Sequence, residues 1–403
     1  MHPATEAAIT TENTKHKRSA GNVSIAPAYQ LSATIYIVKV EPPERQRQPA
    51  TIHHGEVLPI PRQRYTPLPQ SPKHSLLTKQ TNPFLPLGSG VAPFMPISTP
   101  STPLSSALHT LLFCFRLPIF LFFATLYFTT LHHLPLPLAA RKLLLWGLMS
   151  IPGIWWVDLQ LDGVKRGALA SAPRERVPYA GSVIAASYTS PLDVLYLAAV
   201  FDPVFTVSYP GSRKVRRVGL LAALAHAFSA PPAPGKAGLP TTTGTGQLTD
   251  LAALTAACPD RVVAVFPEGG TTNGRGVLPL TPSLAAAPAD RRVFPVSMRY
   301  TPPDITTPVP GFGGFVGFLW KLLSRPTHTI RVRIAEGVYN TSAAGEDGDE
   351  GGDGGDGEVT VEEQKVLDKV AEALARLGRS KRVGLTLKDK SAFVEAWRRK
   401  GRK

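Results

Sequence analysis

The chain has 403 residues, 40 prolines, and 44 Lys and Arg against 29 Asp and Glu, which gives a formal charge of +15. That balance points to an anionic partner, nucleic acid or a membrane surface, and no recognised nucleic-acid motif accompanies it, so a nucleic-acid partner is not expected. Two distant cysteines, Cys114 and Cys258, exclude a disulfide framework or a cysteine metal site, and no metal is expected. Residues 1–106 mix Pro, Gln, Thr, Ser and Lys/Arg with little apolar periodicity. They read as a disordered, Pro-rich, basic leader that buries too little apolar surface to order itself, broken at most by a short strand at "ATIYIVKV". No continuous apolar run of the secretory kind opens it.

Residues 107–159 form a hydrophobic segment with two uncharged runs, "LPIFLFFATLYFTTL" from Leu117 and "LLLWGLMSIPGIWWV" from Leu143. Each is shorter than the roughly 20 residues that cross a bilayer core. With the Pro-rich, basic turn between them, they predict a two-helix hairpin dipping into one leaflet, with Trp155 and Trp156 near the interface. From residue 160 to 343 strands alternate with helices, the pattern of an α/β domain with a central, mostly parallel sheet. Strands are predicted at 183–187, 261–266 and 292–300, with an outer strand at 328–338, and helices at 191–200, 219–228 and 248–257. Residues 344–359 are an acidic Gly/Asp loop; "GEDGDEGGDGGDGE" carries seven acids. Residues 360–403 predict basic amphipathic helices. Their end, from Arg376, carries eleven Lys/Arg and suits either a membrane surface or packing on the domain.

In "YTSPLD" (188–193), Ser190 is a good N-cap, Pro191 suits the first helical position and Asp193 completes a capping box. Capping alone explains these residues. "FPEGGTTNGR" (266–275) leaves a buried strand for a loop in which Gly269 and Gly270 allow close backbone approach to an anion. Thr271 and Arg275 add donors, and Glu268 sits among them. No Gly-Lys-Ser/Thr follows, so this is not a nucleotide P-loop.

Four blocks in this order resemble the glycerolipid acyltransferases, the family that includes lysophosphatidic acid acyltransferase. "YTSPLD" takes the place of the first block, a His, four residues and an Asp; "SYPGSRKVRRVG" (208–219) of the second; "FPEGGTTNGR" of the third; and "FPVSMRY" (294–300) of the fourth. The spread of the blocks looks most like the fungal branch associated with lipid droplets. The resemblance implies an O-acyltransferase at the endoplasmic reticulum or lipid droplet, its catalytic domain facing the cytosol. Acyl-CoA is its co-substrate and no cofactor is bound; its partners are membrane lipids and a lysophospholipid, the acyl chain going to the hydroxyl of lysophosphatidic acid or a relative. Carried over by position, Asp193 and Tyr188 take the catalytic places. Arg213, Lys214, Arg216, Arg217, Glu268, Gly269, Gly270, Thr271 and Arg275 take the substrate-binding ones.

The departure is Tyr188, where the family has the histidine base. A phenol with a pKa near 10 is a poor base at pH 7 unless its neighbours lower that value by about three units. His226, His132 and His133 are alternative bases, though a lone helical histidine is usually a packed one. A thioester is already activated, so positioning alone also supports turnover. The contrasting expectations are a non-catalytic relative that binds lipid as a scaffold, and a hydrolase using Asp193 and Glu268 as a carboxylate pair.

Overall fold

The computed structural model describes residues 91–100, 102–164, 169, 173–229, 248–342 and 359–400. The strand expected at "ATIYIVKV" and the acidic run at 345–358 lie outside the described residues. Residues 91–100, assigned by composition to the leader, are instead packed on the domain. Phe94 is buried, and Asn273 donates to the carbonyls of Ala92 (2.7 Å) and Met95 (2.9 Å).

Helix α1 (Pro103–Leu126) starts at the Thr102 N-cap with Pro103 in its first turn and runs on through a π-helical turn at Tyr127–Leu131. Together they make one apolar helix of 29 residues, long enough to cross a membrane and almost wholly unburied. Helix α2 (Leu138–Ser150) is shorter and buries Leu145, Leu148 and Met149. The expected second membrane helix does not reach Val157. Pro152 cannot extend a helix, and Gly153 adopts φ 87°, where an added Cβ would lie 2.5 Å from the Pro326 carbonyl oxygen. The β-branched and aromatic residues beyond it form strand β1 (Ile154–Leu161). The predicted hairpin is therefore one long exposed helix and one short packed helix.

The remaining elements are β2 (Val183–Ala186), α3 (Pro191–Phe201), β3 (Val204–Ser208), β4 (Val215–Val218), α4 (Leu220–His226), β5 (Leu248–Thr249), α5 (Leu251–Ala257), β6 (Val263–Val265), β7 (Gly276–Val277), β8 (Arg292–Thr301), α6 (Phe312–Ser324), β9 (His328–Ile334), β10 (Val338–Tyr339), α7 (Val361–Gly378), β11 (Lys381–Arg382) and α8 (Leu387–Lys400). The main sheet runs β1-β9-β8-β2-β6-β3-β4-β5, with β10 beside β8. Its middle four strands, β8, β2, β6 and β3, are mutually parallel. Strand β9, expected at the outside, lies between β1 and β8, and β1 takes the edge. This is the α/β architecture the alternating pattern predicts.

The buried strands are continuous apolar runs because both faces of the sheet are covered. One core joins residues of α2, α3, α4 and α6 to Ile184, Ala264, Phe294 and Ile330. The other sets Leu251 and Leu254 of α5 and Leu367, Val370 and Leu374 of α7 against Val183, Val263 and Val293. A third, smaller cluster seats α8 through Leu387, Phe393 and Val394 on Phe94, Leu278 and Val383. The C-terminal basic segment thus packs on the domain.

Candidate active site

The parallel strands β2 and β6 end side by side, so the "YTSPLD" and "FPEGGTTNGR" segments leave the same edge of the sheet, where open α/β folds hold their ligands. They are tied together directly, since the Thr272 amide donates to the Tyr188 carbonyl at 2.9 Å.

The Ser190–Asp193 capping box is formed as expected. Asp193 is fully buried; its Oδ2 accepts from the Thr189 amide (2.6 Å), the Thr189 hydroxyl (3.1 Å) and the Ser190 amide (2.9 Å). Its Oδ1 accepts from the Tyr300 hydroxyl, which the "FPVSMRY" strand supplies. Burial raises Asp193 to about 6 against these donors. Tyr188 is also fully buried, and its hydroxyl donates to the Ala223 carbonyl of α4 at 2.8 Å. Burial, and then the Asp193 charge, push the phenol well above its usual range, opposite to what a tyrosine base requires. Its ring stacks on Phe266 at 4.3 Å and lies nearly parallel to His226 at 6.1 Å.

Glu268 is buried and its Oε2 accepts from the Leu278 amide at 3.0 Å. Desolvation raises it to about 7. Gly269 sits at φ 65°, in the left-handed region that glycine allows, and turns the loop. The next two amides, of Gly270 and Thr271, have no acceptor among the described residues. Consecutive unused amides after a left-handed glycine form a cradle for an anion. Lys390, from α8, lies behind them: it is buried and its Nζ donates to Thr271 Oγ1 at 3.0 Å. Burial brings this lysine down to about 7 and the Glu268 charge opposes the shift. Leu387 of the same helix packs against Gly269 and Gly270 so closely that a Cβ on Gly270 would meet it at 2.9 Å.

The basic run of the second block does not act as a unit. Most of it is strand β4, and alternate side chains of a strand face opposite ways. Arg216 acts electrostatically on His226, and its Nε is buried without a partner among the described residues. Arg217 instead lines a cavity of about 600 Å³ with Thr249, Leu254 and Arg261. Arg213 forks onto Glu363 of α7 at 2.6 and 3.0 Å. Lys214 is half-buried, its amide bonded to Ser212 Oγ at 3.1 Å. Arg275 is exposed, near Arg299. The site therefore gathers Tyr188, Asp193, Glu268, Gly269, Gly270, Thr271 and Arg216, and leaves Arg213 and Arg217 elsewhere.

Lys390 carried no individual signal in a tail rich in lysine and arginine. His226 did carry one, as a lone helical histidine, yet only the packing of α4 on Tyr188 distinguishes it from the others.

No protein-family model and no solved structure matches the chain. Among curated proteins, it is 28% identical over 315 residues to a Schizosaccharomyces pombe protein named "Putative lysophosphatidic acid:oleoyl-CoA acyltransferase". The alignment covers 77% of this chain and 95% of that protein. With the first and third motif blocks leaving the ends of neighbouring parallel strands, this similarity supports the resemblance to the glycerolipid acyltransferases.

Proposed function

We propose that the protein is a membrane-bound O-acyltransferase that moves an acyl chain from acyl-CoA to the free hydroxyl of lysophosphatidic acid or a closely related lysoglycerophospholipid. The observation that carries this reading is the meeting of the first and third blocks around two unused amides, with Arg216 and Lys390 adding positive charge. A phosphate suits such a cradle, being anionic and rich in acceptors. Asp193 and Glu268 have their Oδ and Oε2 atoms engaged by backbone and Tyr300 donors, so they serve to hold the segments in register. Helix α1 and the exposed apolar side chains of α6, Phe312 and Val316 among them, suit a lipid surface from which both substrates are drawn. The endoplasmic reticulum or a lipid droplet, with the α/β domain in the cytosol, is the location consistent with those substrates.

One observation favours a second reading, a non-catalytic relative that binds lysolipid or acyl-CoA as a scaffold: Tyr188 is locked onto Ala223 and raised in pKa. The test is transfer from labelled oleoyl-CoA to lysophosphatidic acid by membranes containing the full-length protein. Formation of labelled phosphatidic acid supports the enzyme. Saturable binding of both substrates with no product supports the scaffold.

A further inference from the structure

Tyr188 commits its hydroxyl proton to a backbone carbonyl of α4, and the same bond brings another titratable ring to the site. Ala223, which accepts the Tyr188 hydroxyl, lies three residues before His226 on α4, and residues at that spacing share a helix face. Tyr188 therefore anchors the face of α4 that carries the imidazole, and the two rings lie within 16° of parallel. On its other side His226 faces the backbone of Gly269, the residue that turns the third-block loop, which acts on the ring electrostatically. This places the ring between the first and third blocks. A neutral imidazole carries one nitrogen that accepts a proton, as a base requires. His226 is half-buried, unlike the fully buried Tyr188 beside it.

We propose that His226 is the catalytic base of this protein, taking the role that the family assigns to the first-block position, with Tyr188 as the residue that positions it. The proposal rests on the acyltransferase reading. In the step, the unprotonated ring nitrogen of His226 takes the hydroxyl proton of the lysolipid as that oxygen bonds to the thioester carbonyl carbon. The tetrahedral centre then collapses, the carbon–sulfur bond breaks, and the proton passes from His226 to the departing sulfur. The products are the ester and the free thiol of CoA, with His226 again neutral. The unused Gly270 and Thr271 amides, with Arg216 and Lys390, supply the positive field in which an anionic substrate sits.

Burial, then the charges of Lys390 and Arg216, hold the free imidazole near 4, so it is unprotonated and available at neutral pH. A bound phosphate offsets those two cations and moves the ring upward, toward the range in which a general base works best. Tyr188, Glu268 and Asp193 are the other titratable groups around this position. The first stays protonated at neutral pH and the two carboxylates are held by donors of their own.

The experiment measures oleoyl transfer to lysophosphatidic acid by membranes containing full-length wild type, His226→Ala, and His226→Ala combined with Tyr188→His. The alanine variant is expected to lose about 10²- to 10⁴-fold in kcat with little change in KM for lysophosphatidic acid. Added imidazole is expected to restore part of the loss, as is the histidine placed at 188. Wild-type kcat in His226→Ala would overturn the proposal while leaving the acyltransferase reading intact. A loss that neither imidazole nor Tyr188→His repairs would also overturn it, since a packing defect behaves in that way. Absence of wild-type transfer would overturn the reading and the proposal together.

Discussion

Glu268 and Lys390 are opposite charges buried behind one loop, and their titrations run in opposite senses. Burial raises Glu268 to about 7, so the folded protein holds this proton more tightly than the unfolded chain does. Its contribution to stability is complete below the ordinary value near 4.5 and is lost as pH rises through about 7. Lys390 is lowered to about 7, so its contribution is complete above its usual value near 10.5 and lost as pH falls through about 7. Thermal midpoints in detergent between pH 4.5 and 7 are therefore expected to fall less steeply in Glu268→Gln than in the wild type. The difference is on the order of 2–3 kcal/mol across that window. Parallel curves would show that Glu268 is not the group responsible. Arg213 gives a second test at this scale, because it pairs with Glu363, itself part of the capping box that opens α7. Arg213→Ala is expected to cost about 1–2 kcal/mol of stability and to leave kcat/KM per folded molecule unchanged. A selective rise in KM for lysophosphatidic acid would instead return Arg213 to the phosphate.

Elements differ in how plainly the sequence announces them. The apolar runs at β2, β6 and β8 and the Ser190–Asp193 cap are legible because one local rule fixes each: burial on both faces in the strands, a short polar chain reaching back in the cap. Strand β4 is not legible, since "KVRRV" shows too few apolar residues to separate a strand from a basic turn. The site divides in the same way. Glycines and a glutamate after a strand mark the third-block loop locally, whereas His226 and Lys390 join it only through the docking of α4 and α8. Helix α8 illustrates the limit: its basic character suits a membrane, yet its apolar side chains close over Phe94 and Leu278. Phe393 lies at the centre of that contact, so Phe393→Ala is expected to cost about 3 kcal/mol and to lower the thermal midpoint. It also loosens the seat of Lys390 behind Thr271, so activity should fall at temperatures where the protein remains folded. A variant with the wild-type midpoint would mean that α8 is not held by this cluster.

At the scale of the whole molecule, length alone would let α1 and its π-helical extension span a bilayer, since 29 residues rise about 43 Å against a core of about 30 Å. Its attachment points the other way. Arg116, near the midpoint, donates to the carbonyls of Arg325 (2.6 Å) and Pro326 (3.0 Å), and Phe113 meets Trp320 of α6 with ring centroids 4.8 Å apart. A helix fixed at its centre to the α/β domain would carry that domain into the hydrocarbon if it stood across the bilayer. Lying flat, it presents Leu104, Leu111, Phe115 and Phe122 to lipid beside the exposed Phe312 and Val316 of α6. The expected topology is therefore monotopic, with one leaflet engaged and both chain termini on the same side. Protease protection of tags at the two ends, in sealed microsomes, should digest both from outside. Protection of one tag alone would establish a spanning helix and require the Arg116 contacts to break in the membrane. Arg116→Leu sharpens the test, because it removes the bonds that hold α1 to the domain while making the helix more apolar. It is expected to tighten membrane association and to lower turnover, as the helix separates from the domain that it holds at the surface.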